Sequence, residues 1–249
     1  MEREVAKVPP GADYAPPKVQ DSKLSSLVDR RQPVEARIPS DIASRLPVVE
    51  NEADLAPLAE VLADVQDEDS VRNEVINLLT RSKDPALPAH IIAVLDNPKE
   101  EARFRAFAMQ HLGTLAGDDR YAPLLKKSAL NVQERLLKSL EDKDLAVRQE
   151  ALLALARQKS PKAAELAVQI LTDSSADAGR MKHLAIRIVQ ELDLKEHIPT
   201  IRELAKAPDE ATRIAALVAL SQWNDQASIP VLVEAARSPV PRIRKAGLA

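Results

Sequence analysis

Six times along the chain an apolar or small residue and a basic residue open a helical pattern of one design. The pairs are Val71-Arg72, Phe104-Arg105, Val147-Arg148, Met181-Lys182, Thr212-Arg213 and Ile243-Arg244, and their basic members stand 33, 43, 34, 31 and 31 positions apart. A recurrence of that length marks stacked helical repeats, in which each unit hides its apolar face only against its neighbours. Such an array grows along one axis, so the 249 residues need not enclose one large core. Composition agrees with close helix packing: hydrophobic residues make up 45% of the chain but aromatics only 2%, so the apolar mass is Leu, Ala, Val and Ile.

Each unit begins after a short acidic turn, as in Asp67-Glu68-Asp69-Ser70 before Val71 or Asp142-Lys143-Asp144 before Leu145. Acidic and hydroxyl side chains there accept from the free amides of a first helical turn and suit its positive end. Inside the first helices small and aliphatic residues recur at three- and four-residue steps. These are Val75, Leu78 and Leu79; Ala108 and Leu112; Ala151, Ala154 and Leu155; Ala185, Ile188 and Val189; Ala216, Val218 and Leu220. That stripe is predicted to be buried. A turn then leads to a second helix with proline near its start, where the missing amide costs nothing. The second helices are predicted at roughly 54–64, 86–95, 120–128, 161–172, 195–206 and 227–236. The 43-residue interval comes from Asn131 to Leu140, read either as a lengthened second helix or as an inserted one.

Residues 1–48 carry 7 of the 18 prolines and no sustained helical period. Proline fixes φ, removes an amide donor and restricts its predecessor, so Val8-Pro9-Pro10-Gly11 and Ala15-Pro16-Pro17 predict extended backbone. This stretch is expected to be an extended or disordered tail. Packing through Leu24, Leu27, Val28 and Ile38 is the alternative. Residues 49–249 are then the repeat array, about five and a half helix pairs. Its last first-helix breaks off at Gly247-Leu248-Ala249 without a second helix to cover it, which leads us to expect further chain or another cover at this end.

The run Asp144-Leu145-Ala146-Val147-Arg148-Gln149-Glu150-Ala151-Leu152-Leu153-Ala154-Leu155, followed by residues 163–173, closely resembles a short HEAT repeat of the phycobilisome-lyase-like type. So do residues 209–237 and, less fully, 69–96 and 101–128. The resemblance covers roughly 52–249. It implies an all-α, right-handed, armadillo-like α-solenoid, and a family of scaffolds, adaptors and assembly factors with a minority of enzymes. It also implies that Arg72, Arg105, Arg148, Arg213 and Arg244 lie along the ridge between units, bonding turn carbonyls or acids of the adjacent repeat. The guanidinium fork suits several acceptors at once.

No catalytic, cofactor or metal residues emerge from the chain. Without Cys there is no thiolate ligand or nucleophile, and His90, His111, His183 and His197 form no ligand-spaced pair. Gly113-Thr114-Leu115-Ala116-Gly117 lacks the Gly-Lys-Ser/Thr of a phosphate loop. Nucleic-acid binding needs clustered cations and stacking platforms, whereas net charge is −3 and Trp223 is the lone indole, expected to pack between repeats. No apolar run is as long as a membrane span, and the start lacks the plan of a signal peptide. The compartment is therefore left open, with the cytoplasm favoured.

These readings point to a non-enzymatic scaffold or adaptor that binds another protein or peptide. The alternatives are a bilin-lyase-like enzyme subunit or a structural module of a longer, extracytoplasmic chain. Charge is polarised: residues 51–120 carry −7 and 121–249 carry +4. Second helices usually line the inner face of such arrays, so the expected partner surface is a polar ladder on them: Lys126, Lys127, Lys162, Arg202, Glu203, Lys206 and Glu234.

Overall fold

The computed structural model describes residues 14–41, 46–121, 123, 125 and 131–248, and all regular structure among them is helical. The chain divides into two compact units, Met1–Ser139 and Leu140–Ala249. The first holds α1 (Ser25–Val28), α2 (Val34–Arg37), α3 (Leu55–Ala63), α4 (Asp69–Arg81), α5 (Leu87–Asp96), α6 (Ala102–Ala116) and α7 (Val132–Ser139). The second holds α8 (Leu145–Arg157), α9 (Pro161–Thr172), α10 (Ala176–Glu191), α11 (Ile198–Leu204), α12 (Glu210–Gln222), α13 (Ile229–Ala236) and α14 (Pro241–Gly247). Helices bearing the recurrent basic residue thus alternate with proline-led helices over most of the chain.

The helix ends follow from the residues at them. Asp144 accepts from the Ala146 amide at 2.9 Å, Ser175 from Ala178 at 3.2 Å and Asp209 from Thr212 at 2.7 Å. These bonds satisfy amides that have no partner inside the helix. The C-terminal ends share one turn. Lys83, Lys159, Asp193 and Asn224 have φ of 58°, 53°, 55° and 53°, and the next amide reaches back to close the turn: Asp84 to Leu79, Ser160 to Leu155 and Leu194 to Val189 at 3.0 Å, Asp225 to Leu220 at 3.2 Å. This is the left-handed cap that glycine occupies without strain. A lysine there costs roughly 1–2 kcal/mol in conformation, part of which glycine returns as chain entropy. Lys159→Gly is therefore expected to stabilise the protein by about 1 kcal/mol, read as a raised urea midpoint with an unchanged slope. An unmoved midpoint contradicts the strain at this turn.

The predicted stripe is buried, with one exception. Val75, Ala108, Leu112, Ala151, Leu155, Ala185, Ile188, Ala216 and Leu220 are all fully inaccessible. Val218 is only half-buried, because it points away from the repeat core. The arginines bond as the ridge reading has it. Arg105 Nη1 donates to the Glu100 carbonyl at 2.9 Å, Arg148 Nη1 to Asp142 at 2.7 Å, Arg213 Nε to Ala207 at 2.9 Å and Arg244 Nη1 to Ser238 at 2.7 Å. Arg148 Nη2 also reaches Asp177 of the next unit at 2.7 Å.

Residues 14–41 correct the expected extended tail. Leu24, Leu27 and Val28 are buried, and Arg37 repeats the geometry of Arg72. Arg37 Nε and Nη2 donate to the Leu27 carbonyl at 3.0 and 2.7 Å, and Nη2 to Asp67 at 2.6 Å. Arg72 Nε donates to the Leu62 carbonyl at 3.0 Å and Nη1 to Glu100 at 2.9 Å. In both cases the carbonyl lies 10 residues back and the carboxylate 30 or 28 residues on. The helix pair α1 and α2 is thus a shortened repeat, with Pro33 serving as the cap of α2 rather than as a breaker. Residues 1–13, with Val8-Pro9-Pro10-Gly11, lie outside the described residues.

The irregular interval contains a separate helix. Asn131 Oδ1 accepts from the Glu134 amide at 3.0 Å while its Nδ2 donates to the Glu134 carboxylate at 3.0 Å, a reciprocal cap that starts α7 afresh.

Candidate functional site

Five of the seven ladder residues lie among the described residues. Lys126 and Lys127 lie outside the described residues. Lys162 on α9 is exposed and pairs with Glu165 at 2.8 Å, and Glu203 pairs with Lys206 at 3.5 Å at the C-terminal end of α11. Arg202 is held inside the unit. Its Nη2 donates to Asp225 at 2.8 Å and its Nε to Ser228 Oγ at 3.2 Å, tying α11 to the turn before α13. The Ser228 hydroxyl donates to the same carboxylate, and with Arg202 it holds Asp225 below the usual carboxylate range. This tether is complete at neutral pH and weakens as pH falls through that lowered value. Lys206 and Glu234 do come together, on a cleft of about 450 Å³ shared with Arg213, Arg237 and Pro239.

A larger groove, of about 700 Å³, lies on the other face of the same unit. Its floor is α12, which presents Ala211, Ile214, Ala215, Val218, Ala219 and Gln222 at helical spacing. Its rims are His183, Arg187 and Gln190 on α10 and Arg242 and Lys245 on α14. The reason is legible in α12: Thr212, Ala216 and Leu220 turn into the repeat core, and a second apolar stripe remains on the opposite side. A helix apolar on both sides needs a neighbour on each. Here the second side is covered only in part, by α10 and α14.

The electrostatics of the groove have one sign. Among the described residues Arg187, Arg242 and Lys245 are its three permanent charges, and no carboxylate lines it. Arg187 stands 3.7 Å from Glu191 in an exposed pair, a contact worth little in water. Arg242 and Lys245 are exposed and pair with no acid among the described residues.

In this unit α10 packs directly on α12 and α12 on α14, whereas α9 and α11 touch little and α11 and α13 less.

Other candidate groups are structural. Trp223 Nε1 donates to Asp193 at 2.9 Å, joining the turns of successive repeats. His111 Nε2 lies 2.8 Å from Asn73 Oδ1, and burial lowers its pKa. His90 approaches Asp84 at 3.9 Å and His197 approaches Glu196 at 3.8 Å. Among the described residues no three His, Asp or Glu side chains gather to hold a metal ion, and no helix is long and apolar enough to cross a membrane.

Comparison with curated proteins finds no match. Among solved structures the chain is similar to an engineered protein, at 16% identity and a TM-score of 0.49, over 78% of this chain and 96% of that one. It is also similar to computationally designed armadillo repeat proteins for modular peptide recognition, at 16% identity and a TM-score of 0.43, over 79% and 90%. The family model of HEAT repeats matches residues 177–249, the stretch that contains the whole groove.

Proposed function

We propose that this protein is a non-enzymatic scaffold that binds another protein along the C-terminal repeats. The observation that carries the reading is the open 700 Å³ groove over α12, apolar at its floor and cationic at both rims. Binding sites are concave, largely apolar and furnished with a few placed polar groups, and stacked repeats supply an extended surface of this kind. The cleft holding Lys206 and Glu234, on the proline-led helices, is the alternative contact region. The exposed apolar Ile229 and Val233 of α13 add to that face.

The test is to use the whole chain as bait and ask for a complex of fixed stoichiometry that survives gel filtration. A scaffold is expected to retain one or a few proteins in whole-number ratio. If every captured protein dissociates on dilution in substoichiometric amounts, the scaffold reading fails.

A further inference from the structure

We infer that the groove over α12 receives an acidic amphipathic helix of a partner protein. Its apolar stripe would lie on Ile214 and Val218, and its carboxylates would meet Arg187 on one rim and Arg242 and Lys245 on the other. The inference deepens the scaffold reading and rests on it.

The floor favours a helix. Its lining residues run from Ala211 to Gln222 along one face of α12, a rise of about 16 Å or three helical turns. Ala211, Ala215 and Ala219 stand at four-residue steps and leave room for a second helix to approach. Ile214 and Val218, one turn apart, are the larger apolar contacts. This is the arrangement in which a helix lays residues i, i+3, i+4 and i+7 into an apolar groove.

The rims favour acid. Among the described residues that line the groove all the permanent charge is positive, and it stands on both sides of the apolar floor. A helix with carboxylates flanking its apolar stripe meets both rims at once. A fatty acid has one carboxylate and answers one rim, while its chain stays wet on the open side. A nucleic-acid strand suits the cations but not the floor, since no aromatic side chain lines it and its phosphates would be laid on aliphatic carbon. Charge complementarity of this kind suppresses wrong partners and speeds association.

The probe is a labelled synthetic peptide of about 18 residues, or five turns, with Leu at i, i+3, i+4 and i+7 steps and Glu flanking them. It is titrated by fluorescence anisotropy against the whole chain, beside a twin carrying Lys in place of Glu. The acidic peptide is expected to bind, more weakly as salt rises. The Lys twin is expected to bind at least about tenfold more weakly. Arg242→Glu with Lys245→Glu should weaken the acidic peptide about tenfold and reverse the preference. Both residues are exposed, and the melting temperature serves as the check that the variant is folded. Equal binding of the two peptides, or an acidic peptide indifferent to the double reversal, overturns the inference. So does displacement of the peptide by oligonucleotide or dodecanoate at concentrations where they bind better than it does. If a stoichiometric protein partner still binds the reversed chain unchanged, the scaffold reading stands and this groove assignment falls.

Discussion

Arg72→Ala is expected to destabilise the N-terminal unit by about 3–5 kcal/mol, the range for removing one member of a buried ion pair. Arg72 is completely inaccessible, and its guanidinium donates to the Leu62 carbonyl at 3.0 Å and to Glu100 at 2.9 Å. It also lies 3.7 Å over the ring of Phe104. Truncation leaves Glu100, itself buried, as a charge without its main partner. Native domains hold only about 5–15 kcal/mol in all, so this single change is expected to bring the unit close to unfolding at room temperature. Glu100→Ala should cost about as much for the mirror-image reason. The pair acts as a unit, so Arg72→Met with Glu100→Leu should recover most of the loss, apolar replacements of a buried pair being often neutral or better. Urea unfolding of Arg72→Met, Glu100→Leu and the double variant gives the cycle. Additive losses would show that the pair is not coupled as its geometry requires.

Arg37→Ala is expected to have an effect of the same order, about 3 kcal/mol, and a different appearance. Arg37 and Asp67 are both buried, and Arg37 holds the Leu27 carbonyl as well. Further ties secure the same segment: Arg30 to Asp64 at 2.7 Å, and the Asp21 amide to Asp54 at 2.9 Å. In the wild type, limited proteolysis is expected to leave residues from about Leu24 to Ile38 protected against the following repeat. In the variant, cleavage within this stretch should become rapid, because opening costs less when its central tie is gone. Equal, fast cleavage of both proteins would return the segment to the extended tail that its prolines suggest.

The contrast between Arg37 and Arg72 explains how much of the fold could be read in advance. Arg72 opens a helix of 13 residues, long enough for three- and four-residue steps to stand out. Arg37 ends a helix of 4, too short to show any period, and the surrounding prolines dominate its local signal. The available clue was distance: Arg37 follows Ala36 and lies 35 residues before Arg72, inside the repeat range. The separate α7 was likewise open in the sequence, and what decides it is the Asn131–Glu134 cap.

The site was less legible than the fold. Exposure was read well, since Lys162, Glu203, Lys206 and Glu234 are all on the surface. What exposure could not convey is pairing across a turn, and Arg202 finds Asp225 at 23 residues' separation. Periodicity also merged two faces of α12, placing Val218 with Ala216 and Leu220 although it faces the groove. An apolar stripe says that a helix needs a neighbour; whether the chain itself supplies that neighbour is decided by how the next helices sit.

The most direct measurement is amide hydrogen exchange of the chain alone and in complex with the partner that it retains. Binding in the groove over α12 predicts slowed exchange in α10, α12 and α14, centred on residues 183–190, 211–222 and 242–246, with α9, α11 and α13 little changed. Protection confined instead to the proline-led helices around Lys162, Arg202, Glu203, Lys206 and Glu234 would contradict the account and return the function to the opposite face.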